Sequence, residues 1–203
     1  MTISPEKILF LPGASGNSQF WHPVAEALET PIAAHHMGWP GFGNTPPNSN
    51  VSSLHHLALL ALAEIDRPTA LVAQSMGGVV AVQIALERPE LITHLVLSVT
   101  SGGMNLSDLG AEDWRTEFET HNPNLPRWFL DDHTDLSARL HELSMPVLLL
   151  WGGADPISPV RVGQRLAQLI PNARLEVFPE AGHDLGCTHA RAVARFIDEH
   201  LAK

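Results

Sequence analysis

Short apolar runs recur along the chain, each broken by a cluster of Gly, Pro, Ser or Asn and each followed by a stretch in which apolar positions return every three or four residues. The runs at Lys7–Leu11, Ile32–Met37, Thr69–Gln74, His94–Val99, Pro146–Trp151 and Leu175–Phe178 read as strands, several of them apolar enough to be buried on both faces. Helical spacing fills the intervals. A helix is expected from Ser18, a residue able to cap it, through about Glu29. A second runs from Ser52 or Ser53 to Asp66, with Leu54, Leu57, Ala58, Ala61, Leu62 and Ile65 three and four apart and Pro68 as its stop. Others follow from Met76 to about Arg88, around Val162, Leu166, Leu169 and Ile170, and at the end through Ala190, Val193, Ala194, Ile197 and Leu201. Alternating strands and helices predict an α/β fold with a parallel sheet of about six strands and helices on both faces.

One region breaks the alternation. Between Ser101 and Leu143 periodicity is weak, and Trp114, Phe118, Trp128 and Phe129 are spread among acidic residues. We read residues 1–203 as a single domain, with 101–143 a short insert within it; a chain of 203 residues is long enough for a core without disulfides or structural metal.

The chemistry is concentrated where the Thr69–Gln74 strand meets its helix. Ser75 sits on that turn between Ala73 and Gly77, small residues that a tight strand-to-helix turn demands. The turn exposes the hydroxyl and aims the helix N-terminus, with its free N–H groups, at any negative charge that develops there. Two further residues follow strands directly: Asp155, in Gly152-Gly153-Ala154-Asp155, and His183, in Ala181-Gly182-His183-Asp184. In a parallel sheet the C-terminal strand ends form one edge, so these loops converge. An imidazole can take the serine proton, and a carboxylate can hold the imidazole in the required tautomer. Glu180 and Asp184 are rival acids for His183, but neither follows a strand as Asp155 does.

Composition narrows the picture. A formal net charge of −10 excludes nucleic acid and anionic membrane surfaces as natural partners. Between Ser101 and Ser137 lie Asp108, Glu112, Asp113, Glu117, Glu119, Asp131, Asp132 and Asp135 against Arg115 and Arg127, so a site beneath this segment would disfavour strongly anionic substrates. Cys187 is the single cysteine, expected as a small packing residue, and excludes an internal disulfide. No zinc-ligand spacing, P-loop or dinucleotide fingerprint occurs, and no metal or cofactor is expected. No apolar stretch approaches the roughly 20 residues that span a bilayer, and the first residues carry no secretory pattern; a cytoplasmic location is expected.

The Ala73-Gln74-Ser75-Met76-Gly77 turn resembles the nucleophile elbow of the α/β-hydrolase superfamily, with Ala73 in place of the first glycine, and the order Ser75, Asp155, His183 is that of its catalytic triads. The resemblance covers nearly the whole chain and implies a trimmed sheet in the order second, first, third, fourth, fifth and sixth strand, lacking the family's N-terminal antiparallel pair. It implies an oxyanion hole from the backbone N–H groups of Ala14, in Pro12-Gly13-Ala14, and Met76. It also implies that the insert is a cap whose aromatics Trp114, Phe118, Trp128 and Phe129 line the substrate pocket, while the residues themselves equally allow these rings to close a small helical patch onto the core; a cap this short implies an open or shallow site. The implied activity is hydrolysis of a small or medium carboxylic ester through an acyl-serine, with carbon–carbon bond hydrolysis or elimination as the close alternative and a non-catalytic, ligand-binding relative as a third.

Overall fold

The computed structural model describes residues 4–106 and 108–203. Its frame is one sheet of six parallel strands in the order β2-β1-β3-β4-β5-β6. The strands are β1 (Lys7–Leu11), β2 (Ala33–His36), β3 (Thr69–Gln74), β4 (Ile92–Ser98), β5 (Val147–Gly152) and β6 (Ala173–Phe178). Every residue of β3, β4 and β5 is buried, as expected of central parallel strands covered on both faces, whereas the edge strands β2 and β6 are partly exposed and carry His35, Arg174 and Glu176.

The helices are α1 (His22–Ala25), α2 (Leu54–Ala63), α3 (Met76–Glu87), α4 (Arg115–His121), α5 (Val160–Leu169), α6 (Leu185–Thr188) and α7 (Ala190–Leu201). Helix α3 buries all ten residues from Gly77 to Leu86 and forms the centre of one layer. In α2 the expected cap is made by Ser53, whose hydroxyl accepts from His56 N at 3.2 Å. That helix stops short of Asp66 because Glu64 and Ile65 donate to Ala61 and Leu62, three residues back, which tightens its last turn out of α geometry.

The helix expected from Ser18 to Glu29 shrinks to His22–Ala25. Ser18 caps nothing: the side chain of Asn17 accepts from Gln19 N at 3.0 Å and closes a turn instead, Pro23 fits only in the first turn of a helix, so α1 starts beside it, and Ala27 and Leu28 donate to Val24 and Ala25, three residues back, which ends it. The Trp21 indole donates to Leu11 O at 3.0 Å, so this segment is held to the end of β1 rather than to a long helix of its own.

Strand register decides where the loops meet. Leu11 pairs with Ala73, Gln74 with Ser98, Ser98 with Leu150, and Gly152 with Phe178, so five strands end level. The chain leaves β1 for β2 on one side and returns to β3 on the other. This is the topological switch point at which open α/β sheets form their crevice, and the loops carrying Gly13 and Ser75 flank it.

Candidate active site

Ser75 has φ 52° and ψ −121°, a left-handed conformation that side chains rarely adopt. It is held by donation from its own N–H to Ser98 O at 3.0 Å and by Gly78 N, which donates to Ser75 O at 2.9 Å. Gly77 must lack a Cβ because one would press on the Pro12 carbonyl oxygen and lie 2.8 Å from Leu11 O. The elbow is thus seated backbone against backbone on the loop after β1, whose Pro12 carbonyl is also fixed by the Trp39 indole at 2.8 Å.

The acid and histidine loops interlock in the same way. A Cβ on Gly152 would lie 2.5 Å from both Ala181 O and Gly182 O, and Ala154 N donates to Ala181 O at 3.0 Å. The Trp151 indole, buried, donates to Ser158 O at 2.8 Å and anchors the far side of the acid loop. These contacts bring together three side chains that are distant in sequence. His183 Nε2 lies 3.0 Å from Ser75 Oγ, and His183 Nδ1 lies 2.7 Å from Asp155 Oδ2.

Asp155 is buried, and its other oxygen, Oδ1, accepts from Ile157 N at 2.9 Å and Ser158 N at 3.1 Å. A carboxylate held by two backbone donors can only accept from His183, so Nδ1 carries the proton and Nε2 is left to accept from the serine hydroxyl. Glu180 and Asp184, the rival acids, are exposed.

A cavity of about 980 Å³ opens onto Ser75 and His183, with Ala14 and Met76 in its wall. Met76 is the first residue of α3, so its N–H has no partner within the helix. The insert forms the opposite wall. Trp114, Phe118 and Phe129 line it, with Trp114 stacked on Phe129 at 6.0 Å and Phe118 edge-on to both. Trp128 does not line it: its ring packs edge-on to Phe42 at 5.8 Å, behind Phe129. The insert aromatics therefore divide between lining the cavity and closing the insert onto the core.

Six carboxylate residues, Glu112, Asp113, Glu117, Asp132, Asp135 and Asp184, border the cavity. Arg115 is the only lysine or arginine among its lining residues, and its guanidinium donates to Leu130 O at 3.2 Å and lies 3.6 Å from Asp113. Arg127 does not line the cavity and pairs with Glu119.

Three supporting residues escaped the sequence reading. Gln74 donates to His183 O at 3.3 Å and covers Gly13, while Trp39 and Trp151 pin loops through their indoles. The sequence marks them only as polar or aromatic residues beside motif positions. Cys187, expected as a packing residue, is exposed, with its sulfur 3.3 Å from Phe20 O. Among the described residues no cluster of three metal-ligating side chains occurs, and no helix is long and apolar enough to cross a membrane.

This sheet, elbow and strand-end geometry define an α/β hydrolase, and the chain belongs to that superfamily. Residues 8–108 match the model of the alpha/beta hydrolase family, and residues 130–190 match a second model, the alpha/beta hydrolase fold. The chain is 26% identical to a pimeloyl-[acyl-carrier protein] methyl ester esterase of Nitrosomonas europaea, over 87% of this chain and 88% of that protein. It is 27% identical to a 2-hydroxy-6-oxononadienedioate/2-hydroxy-6-oxononatrienedioate hydrolase of Cupriavidus pinatubonensis, over 97% of this chain and 86% of that one. Among solved structures, a lipase-esterase related protein from Clostridium acetobutylicum superposes with a TM-score of 0.80 at 18% identity, covering 98% of this chain and 96% of the other. A thermophilic esterase from Thermogutta terrifontis gives 0.79 at 21%, covering 99% and 91%. Both share this fold.

Proposed function

We propose that this chain is a serine hydrolase that cleaves carboxylic esters through an acyl-Ser75 intermediate. The observation that carries the reading is the continuous hydrogen-bonded line from Ser75 Oγ through His183 to the buried Asp155. His183 Nε2 takes the Ser75 proton as Oγ attacks the ester carbonyl carbon. The carbonyl π electrons move onto oxygen, and the Ala14 and Met76 N–H groups receive the oxyanion. Collapse of the intermediate breaks the bond to the alkoxy oxygen, to which the His183 imidazolium returns the proton. Water, activated by the same nitrogen, then releases the acid and restores Ser75. Asp155 stabilises the imidazolium in both halves.

A methyl ester esterase among the relatives supports ester cleavage over other uses of the same triad. Carbon–carbon cleavage of a dioate, which the Cupriavidus relative is named for, fits less well. Two substrate carboxylates would meet six acidic residues around the cavity and a single arginine already engaged by Asp113. The same field favours small neutral or cationic esters. A pocket that only bound its ligand would need none of the three identities at 75, 155 and 183.

The test is intact mass after incubation with a fluorophosphonate, wild type beside Ser75→Ala, with p-nitrophenyl butyrate turnover in parallel. The expected result is one adduct and ester turnover, both absent in Ser75→Ala. A folded wild type that neither labels nor turns over esters would overturn the reading and bring the ligand-binding alternative forward.

A further inference from the structure

Thr100 lies just beyond β4, is 1% exposed, and takes no part in the proton transfers above. Its Oγ1 accepts from Gly102 N at 3.1 Å, and its one hydroxyl proton is directed at the carbonyl oxygen of Ser75, 2.6 Å away. That carbonyl also accepts from Gly78 N at 2.9 Å. In a trans peptide the C=O and N–H lie in one plane and point in opposite directions. Whatever fixes the Ser75 carbonyl therefore fixes the N–H of Met76, and two donors on the carbonyl polarise the amide and strengthen that N–H as a donor.

The elbow needs such a hold. Ser75 at φ 52° and Val99 at φ 43° are both strained, and they sit side by side at the exits of paired strands β3 and β4. Gly78 has no room for a Cβ, which would fall 2.5 to 2.6 Å from three side-chain atoms of Thr100. The first turn of α3 thus rests directly on this one side chain.

We propose that Thr100 is a positioning residue that sets the plane of the Ser75–Met76 peptide and so aims the Met76 N–H at the developing oxyanion. The inference rests on the serine-esterase reading above. Its test compares wild type with Thr100→Val, which keeps the shape and loses the hydroxyl, Thr100→Ser, which keeps the hydroxyl, and Thr100→Ala, a smaller change should the valine variant fail to fold. Four quantities are measured: kcat and KM on p-nitrophenyl butyrate, the pH profile of kcat/KM, and the affinity of butylboronic acid, whose tetrahedral, anionic serine adduct places a boronate oxygen in the hole.

In Thr100→Val or Thr100→Ala, kcat is expected to fall about tenfold, less than the loss of a whole oxyanion donor. KM should stay within about twofold, boronate affinity should fall in step with kcat, and the midpoint of the pH profile should not move, because His183 and Asp155 are untouched. Thr100→Ser should restore most of kcat. Wild-type kcat in the hydroxyl-free variants, a loss confined to KM, or a serine variant as poor as the others would each overturn the inference while leaving the esterase reading intact. A wild type that turns over no ester would overturn both.

Discussion

Mild acid should loosen this fold through a group remote from the catalytic line. His200, near the end of α7, is 3% exposed and lies edge-on to the ring of His94 on β4, with centroids 5.2 Å apart. Burial pushes His200 down from 6.5 to about 4, the charges of His94, Lys203 and Arg174 act in the same direction, and a hydrogen bond with the Leu95 backbone opposes them. Burial lowers His94 as well, and neither of its ring nitrogens has a hydrogen-bond partner among the described residues. A histidine depressed in this way is neutral in the fold but protonates readily in the unfolded chain. Its contribution to stability is therefore complete above about pH 6.5 and is lost as pH falls from there towards about 4. Linkage across that interval gives a loss of about 2 kcal/mol between pH 8 and pH 5, approaching ~3 kcal/mol below pH 4. For a domain of this size the first figure lowers Tm by roughly 4–8 °C. Thermal and urea unfolding of wild type and His200→Leu at pH 8, 6.5 and 5 tests it, since leucine suits the buried site and cannot titrate. The leucine variant should show a flatter dependence on pH by about that amount. An unchanged slope in His200→Leu would refute the assignment of the acid sensitivity to this ring.

Other expectations concern the site. Asp155→Asn presents an amide where His183 Nδ1–H needs an acceptor and should lower kcat by on the order of 10³–10⁴ with KM little changed, read by steady-state kinetics on a neutral ester. Gly77→Ala drives a methyl into the Leu11 and Pro12 carbonyls, so both Tm and the fluorophosphonate labelling rate should fall; a variant that labels at the wild-type rate would contradict the backbone-on-backbone seating of the elbow. Replacing Glu112 and Glu117 by lysine should raise kcat/KM for an ester bearing a carboxylate several-fold relative to a neutral one, and 0.5 M salt should erase most of the difference because both side chains are exposed.

The chain's own pattern determined the strands of the sheet, the helices with a clear apolar stripe, and the three residues that meet at its edge. Those signals are local: an apolar run bounded by turn residues, a three-four spacing, and a serine, an aspartate and a histidine each just past a strand. Even α2 was legible to its cap, because Ser53 acts on an N–H three residues away. Where the decisive partner lies far off in sequence, the pattern is silent. The helix expected from Ser18 yielded to Pro23 and to the tie between Trp21 and Leu11, and Trp128, indistinguishable in sequence from its neighbour Phe129, turned to Phe42 instead of the cavity. Strand register brought Asp155 rather than Glu180 or Asp184 to His183 Nδ1, and the missing Cβ atoms of Gly77, Gly78, Gly152 and Gly153 let five loops pack closely at that edge. The hold that Thr100 and Gln74 exert on the nucleophile and histidine loops arises only from that closure, because a hydrogen bond between residues 25 or 109 positions apart leaves no periodicity to read.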